Sequence, residues 1–560
     1  MNWTQAHPVA TLSLRDGQGG SGQTPTTQQA SLPMSERNSL SGRDQKFLFW
    51  ASFLALAAAG FGFVFRVMLP DIWGKEFNIT AQEVGGLAGA ALWPIAITMI
   101  LFSLLVDRIG YKRSMFCAFA LQAVSVILTV ATRDVALLWW ACFFAGLGHG
   151  VVEAVINPLC ASIYRDQKSK MLNILHASWP GGIVGGGCIY LLTYQSMSWR
   201  IIFLFMLLPV IAYGVMFFMC RRFPVDERVE ANVPMGDMLR EFGGLGAFLA
   251  ITFLFYEIAN QIHMASGALS AIHANLLYVS LAIGALGGAA FGYVVKAKGQ
   301  ILFFILCLIM VPLATAELAT DGWIQTLMRP VLQADFDVHA GWAIVTSAFI
   351  MMTLRFFAGV PLKHMSPPAL LLVSSLFSIA GLYLLSGATG SLIIMAFALY
   401  AVGQTFYWPT MLGFVSERFP RGGAMTLNTV SAMGLLTVGI FGFPFLGAVK
   451  DNFDAQTVKQ EKPALYDSYR IADRSFFGWR YDSIKANEVL ADPSLSAGEK
   501  NDLSGKIDTS ARKTLKVAAV LPLTMAIAFG LILLWFRSQG GYQVVHLERD
   551  ETAGGASEGG

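Results

Sequence analysis

Long apolar runs separated by short polar loops recur from residue 46 to residue 537, and none alternates in the way a half-buried strand does. About 20 apolar residues in helix cross a hydrocarbon layer of about 30 Å. Runs of that kind lie at 46–70, 83–105, 113–132, 136–163, 171–195 and 199–220, then at 243–264, 272–295, 300–320, 339–361, 368–387, 391–413, 426–449 and 515–537, fourteen in all. Only helices or closed barrels satisfy their backbone groups in lipid, and continuous apolarity selects helices. The expected fold is all-α: a polytopic membrane protein with two pseudo-symmetric six-helix bundles and an extra helix pair between them.

The same pattern divides the chain. Residues 46–220 form an N-terminal six-helix bundle, 221–242 a charged cytoplasmic linker, 243–297 the inserted pair and 298–537 the C-terminal bundle. Within the last, 450–514 mixes many charges with Tyr466, Tyr469, Phe476, Phe477, Trp479 and Tyr481 and is expected to be an external cap, helical in part. Residues 1–45 are rich in Gly, Ser, Thr and Gln and lack an apolar stretch, so a disordered cytoplasmic tail is expected there, and a second loose tail at 538–560.

Composition agrees with the pattern: 55% apolar residues, 13% charged and a mean hydropathy of +0.56 cannot clothe a soluble protein of 560 residues. Charge placement then orients the spans. Arg108, Lys112, Arg113, Arg165, Lys168, Lys170, Arg221, Arg222, Arg228, Lys296, Lys298, Lys363, Arg418 and Arg421 fall in loops on one side, against Lys75, Arg133, Arg200 and Arg329 in the short loops of the other. The richer side is the cytoplasm by the positive-inside rule, and an even number of spans places both termini there.

The six cysteines lie in or at the ends of spans, so no disulfide framework is implied. Metal-ligand spacing, a phosphate-binding loop and a nucleophile elbow are all missing from the loops where they would work. The reading is therefore of a protein that is not an enzyme, with no metal, cofactor or nucleic-acid partner, acting as a monomer on a small solute from within the bilayer.

Chemistry sits inside the spans instead. Glu153 lies in Gly146-Leu-Gly-His-Gly-Val-Val-Glu-Ala-Val-Ile-Asn-Pro158, and a carboxylate at that depth costs about 2.5–3.5 kcal/mol on insertion scales. Such a group usually faces a partner or a water-filled path. Asn157, Asn173, Asn428 and Gln404 can bond hydroxyls without a buried charge, and Trp93, Trp179, Tyr407 and Trp408 offer flat faces for a sugar ring. His149 and His176 read as packing residues. Arg66 is near the outer face, where it either snorkels or serves the cavity. Internal repetition is visible too: Asn157-Pro158 precedes Leu172-Asn173 by one cytoplasmic loop, and Trp408-Pro409 precedes Leu427-Asn428 in the same way.

Two motifs carry a family likeness. Asp107-Arg108-Ile-Gly110-Tyr-Lys112-Arg113, after the second span, resembles the loop signature of the major facilitator superfamily, and Arg355-Phe-Phe-Ala-Gly359 with Lys363 resembles its weaker counterpart in the second half. Within that superfamily, Gly150, Glu153, Asn157 and Pro158 look like the fourth helix of fucose-type proton symporters, Leu172-Asn173 like the start of their fifth, and Trp408-Pro409-Thr410 like their tenth. Those symporters carry an Asp near the outer end of the first helix, where this chain has Arg66, and they lack the inserted pair.

The resemblance implies alternating access in the bacterial inner (plasma) membrane. It implies gating by Asp107, Arg108, Gly110, Arg113 and Arg355, proton coupling through Glu153 with Arg66 nearby, and solute binding by Asn157, Trp179, Glu317, Gln404, Tyr407 and Trp408. The expected function is secondary active transport of a small hydroxylated solute, a sugar first of all, with a proton as coupling ion. Two other readings stay open: an organic anion or drug exporter using Arg66, and a non-transporting membrane sensor using the cap.

Overall fold

The computed structural model describes residues 40–547 except 80–86, 88, 274, 324–326, 328–338, 340 and 391. Most of the expected N-terminal tail, the last part of the C-terminal one and Arg329 lie outside the described residues.

The first half comprises α1 (Gly42–Met68), α2 (Trp93–Ile109), α3 (Tyr111–Ala131), α4 (Val135–Ile163), the pair α5 (Lys168–His176) and α6 (Ser178–Thr193), and the pair α7 (Trp199–Leu204) and α8 (Leu207–Met219). The pair expected as an insertion corresponds to α9 (Met235–Ser266) and α10 (Leu276–Val295). In the second half come α11 (Ile301–Ala314), α12 (Gly341–Phe356), α13 (Pro367–Leu385), α14 (Leu392–Gln404), α15 (Tyr407–Arg418), α16 (Gly423–Thr437) and α17 (Phe443–Glu461). After the 450–514 region, α18 (Lys513–Ala518) and α19 (Val520–Ser538) complete the fold.

Among the described residues, twelve helical stretches are long and apolar enough to cross a membrane. The two further spans expected at 83–105 and 171–195 have local causes for falling short. α2 has 17 residues and starts at Trp93-Pro94, and the run over 171–195, which bends at Ala177 between α5 and α6, is less apolar because it carries His176 and the glycines Gly181, Gly182, Gly185, Gly186 and Gly187. The fourteen expected segments are thus met only approximately: twelve qualify among the described residues, and those over 171–195, 199–220, 391–413 and 426–449 are each interrupted by a turn.

Helix starts and bends follow from identifiable residues. Asp134 caps α4 by accepting a hydrogen bond from the Leu137 N–H at 2.8 Å. Gly110, at φ +84°, makes the tight turn between α2 and α3 that a side chain would strain. Wide turns of the π type follow α11 at Thr315–Ala319 and α16 at Val438–Gly442. The two abut, since a Cβ on Gly442 would stand 2.8 Å from the Ala319 Cβ.

Glycines let particular helices touch. A Cβ on Gly182 of α6 would come within 2.7 Å of the Phe61 N of α1, so these helices pack backbone to backbone. In the inserted pair, a Cβ on Gly244 would meet the Gly288 carbonyl at 2.8 Å. α9 also packs along α16, which ties the pair to the second half.

The 450–514 region folds on its own small core of Val458, Tyr466, Ile484, Val489, Leu503 and Ile507. Two short hairpin-like ladders, β1 (Arg470–Ile471) with β4 (Ser483–Ile484) and β2 (Ser475–Phe476) with β3 (Trp479–Arg480), join its helices. The second ladder turns through Phe477 and Gly478, both at positive φ. The segment just after Ser538 is pinned, not loose: Tyr542 Oη donates to Glu417 Oε2 at 2.7 Å and the Val545 N–H to the Glu417 carbonyl at 2.9 Å.

Candidate functional site

Between the halves lies a cavity of about 880 Å³, within the range of small-molecule sites. Arg66 of α1, Trp93 of α2, Gln122 of α3, His149 of α4 and Trp179 of α6 line it from the first half. His339, Leu435, Gly439 and Phe443 line it from the second, and Glu257, Asn260 and Gln261 from the inserted α9. Arg66 falls at the end of α1 and Trp93 at the beginning of α2, while Gln122 and His149 fall mid-helix, so the cavity extends from the middle of the molecule towards the end opposite Asp107.

Arg66 is half-buried. Its Nη1 donates to the Gly62 carbonyl at 2.9 Å and its Nη2 to Ser125 Oγ at 3.3 Å, while Nε is buried without a partner among the described residues. Its guanidinium also lies 5.6 Å from the Phe203 ring centroid. Among the described residues no carboxylate is ion-paired with it. Beside it, the His149 ring stacks on Trp179 at 5.0 Å and 18°.

From His149 a chain of polar side chains runs away from the cavity down α4. Glu153, one turn on, places Oε1 3.7 Å from His149 Nε2. Asn157, the next turn, donates to Glu153 Oε2 at 2.6 Å, and its Oδ1 meets His176 Nε2 at 2.9 Å. The His176 carbonyl accepts from Arg355 Nη1 at 2.9 Å, and Arg355 Nη2 donates to Glu317 Oε1 at 2.8 Å. Glu317 Oε2 in turn accepts the Trp408 N–H at 3.1 Å. The chain crosses from the first half to the second, and every side chain in it is buried.

The sequence-derived candidates therefore divide. Arg66 and Trp179 line the cavity; Glu153 and Asn157 lie one and two turns deeper, bonded to each other. Glu317 and Arg355, expected as solute ligand and gate, form one buried ion pair. The wide turn at Thr315–Ala319 carries Glu317, and Arg355 Nε also donates to the Thr405 carbonyl at 2.7 Å. Gln404 donates to Asp321 Oδ1 at 2.9 Å, which Tyr400 Oη approaches at 3.4 Å. Tyr407 and Trp408 are buried, with Trp408 against Gly434, where a Cβ would lie 2.7 Å from its ring.

Sequence reasoning missed Gln122, Glu257, Asn260 and Gln261, and took His149 and His176 for packing. Glu257 carried the signal that singled out Glu153, an acid inside an apolar run.

At the Asp107 end the halves are held together. Lys168 Nζ reaches Glu227 Oε2 at 2.5 Å and the Ser416 carbonyl at 3.3 Å; the Ser169 N–H donates to Glu417 Oε1 at 3.2 Å, and Asn173 Nδ2 to Thr410 Oγ1 at 3.1 Å. Asp107 pairs with Arg228 of the 221–234 segment, whose Nη1 also donates to the Val233 carbonyl at 2.7 Å. Burial, reinforced by the Asp107 charge, pushes the neighbouring Asp226 carboxyl up to about 6. Gly110 shapes the adjoining turn, and Arg108 and Arg113 flank it. No group of three or more His, Cys, Asp or Glu among the described residues is placed to hold a metal ion.

Residues 51–442 match the Major Facilitator Superfamily. The chain belongs to that family. It is an integral membrane transporter and not an enzyme. A gentisate transporter of Corynebacterium glutamicum is 22% identical over 177 residues, 31% of this chain and 39% of that protein, so the chain matches well under half of that relative's length. Among solved structures, the proton:xylose symporter XylE bound to 6-bromo-6-deoxy-D-glucose is similar with a TM-score of 0.57 at 12% identity, covering 91% of this chain and 99% of that one. The human organic anion transporter MFSD10 is similar with a TM-score of 0.51 at 11% identity, covering 87% and 99%. At such identities these two likenesses show a shared fold.

Proposed function

We propose that the protein is a secondary transporter that moves a small hydroxylated organic acid by alternating access and couples it to protons through Glu153. The observation that carries the solute class is Arg66, a guanidinium on the cavity wall with no acidic partner among the described residues. In a cavity of lowered dielectric such a cation attracts a carboxylate strongly and can hold it through two parallel hydrogen bonds. Trp179 and Phe63 supply flat faces, and Gln122 and Asn260 supply neutral donors and acceptors for hydroxyls. The sequence alone places a sugar first; the unpaired cation moves an organic acid ahead of it. The gentisate transporter, named for a dihydroxylated aromatic acid, supports the same class.

Coupling rests on the chain from His149 to Glu317. Glu153 sits between the cavity and the Arg355–Glu317 ion pair of the second half, so a proton gained or lost there would change what Asn157 and His176 can bond. Through the His176 carbonyl that change reaches Arg355, and so the contact between halves. The cross-half bonds at Lys168, Ser169 and Asn173 would then be the closed cytoplasmic gate, with the Asp107–Arg228 pair as its clasp.

Arg66→Gln tests the solute. Losing charge-assisted hydrogen bonds worth about 1.5–3 kcal/mol should raise KM for a hydroxybenzoate about 10- to 100-fold in reconstituted vesicles. An unchanged KM would contradict the assignment. A neutral sugar is the second reading, favoured by the amides Gln122, Asn260 and Gln261; xylose uptake that persists in Arg66→Gln would support it.

A further inference from the structure

The inserted pair sets this chain apart from a twelve-helix transporter, and one of its helices reaches the solute cavity. Glu257 lies in the apolar middle of α9, only 4% exposed, facing Gly439 at the wide turn after α16. A Cβ at residue 439 would already stand 3.7 Å from Glu257 Oε1, so any longer side chain there would crowd the carboxyl. One turn on, Gln261 Nε2 donates to Oε1 at 2.8 Å, and the same amide lies 3.5 Å from where a Cβ on Gly89 would be. The other carboxyl oxygen, Oε2, is buried and has no partner among the described residues.

A carboxyl placed at membrane depth with one oxygen unbonded loses hydration without recovering it, so its free oxygen is costly unless something occupies it. The cavity supplies the occupant's chemistry. Arg66 stands on the α1 wall with an unused Nε–H, and Glu257 on the α9 wall with an unused acceptor, both bordering the same space. A solute that satisfies both carries an anionic group and a hydrogen-bond donor.

We propose that Glu257 is a solute-binding residue: its free oxygen accepts a hydrogen bond from a hydroxyl or ammonium group of an organic acid whose carboxylate is held by Arg66. The inserted helix is then a specificity element, selecting donor-bearing acids from plain ones. Gln261 is a positioning residue that fixes the carboxyl rotamer and leaves Oε2 turned to the solute. This rests on the reading of Arg66 as the carboxylate site.

The test compares benzoate with 2,5-dihydroxybenzoate, by ligand-induced thermal shift of the purified full-length protein, in wild type, Glu257→Gln and Glu257→Leu. Wild type should prefer the dihydroxylated acid by about tenfold, as expected for a hydrogen bond to a charged group. Glu257→Gln should reduce that preference and Glu257→Leu abolish it, with benzoate affinity no lower than in wild type in both. Should Glu257→Leu not fold, the reduced preference in Glu257→Gln decides. No preference in wild type, a preference undiminished in the variants, or a parallel loss of benzoate affinity overturns the proposal. Wild-type protein stabilised by neither acid overturns the Arg66 reading and this proposal with it; binding of both acids with an unaltered preference overturns this proposal alone.

Discussion

At the scale of single residues, this protein keeps several charged groups out of water, and each has a different answer to the cost. Arg355 and Glu317 answer it with each other. Their pair is closed by a 2.8 Å bond, and the remaining donors and acceptors go to the His176 and Thr405 carbonyls and the Trp408 N–H. Removing one member of such a pair leaves the other charge stranded, at a cost of about 3–5 kcal/mol. Arg355→Met should therefore lower thermal stability in detergent sharply, and Glu317→Gln added to it should restore much of the loss. Equal instability of the single and double variants would show that the pair is not the unit that matters.

Glu153 has no cation against it, only Asn157 at 2.6 Å and His149 at 3.7 Å, which is why it and not Glu317 is assigned the mobile proton. Its place within a span is what made it readable in the sequence. The faces of Gln122, His149 and Asn260 were not readable, because which side of a helix looks into the cavity depends on helix rotation. An apolar run that is buried on most sides carries little record of that rotation.

Among the elements, the 221–234 segment is the one whose behaviour should depend on pH. Asp226 accepts a bond from the Arg228 N–H at 2.9 Å and caps the short helix Glu227–Glu230, yet burial beside Asp107 raises its carboxyl to about 6. A carboxyl raised in the folded state destabilises that state once it ionises. The penalty is complete above about pH 6 and fades as pH falls towards the unfolded value near 4. Asp226→Asn keeps a capping oxygen and removes the charge. It should be more stable than wild type by about 2–3 kcal/mol at pH 8, with the gap closing as pH drops through 6. A stability gap that does not change with pH would contradict this.

Element scale is also where the sequence was most informative and where its limits show. Lipid forces every backbone group into helix, so nearly every apolar run marked a helix; α2 starts at Trp93-Pro94, and near the α5–α6 break Pro180 has no N–H to give the His176 carbonyl, which accepts from Arg355 instead. The fold of the 450–514 region was only partly legible. Its core draws single residues from across the region, such as Val458, Ile484 and Ile507, without a periodic pattern.

For the whole molecule, the end closed by bonds from Lys168, Ser169 and Asn173 and the cavity towards the opposite end fit one side of the alternating cycle proposed above. Superfamily membership was legible because Asp107, Gly110 and Arg113 cluster in one short loop. The inserted pair's part in the cavity was not, since its packing along α16 is a tertiary fact. On the proposed reading, Arg66 and Glu257 read the solute and Glu153 couples it to the proton gradient.

The measurement that tests this most directly is accumulation of 2,5-dihydroxybenzoate in proteoliposomes under an imposed pH gradient, in wild type and in Glu153→Gln. Wild type should concentrate the acid above its external level, and Glu153→Gln should exchange it across the membrane yet fail to concentrate it. Accumulation by Glu153→Gln that matches wild type at every imposed gradient would contradict the account.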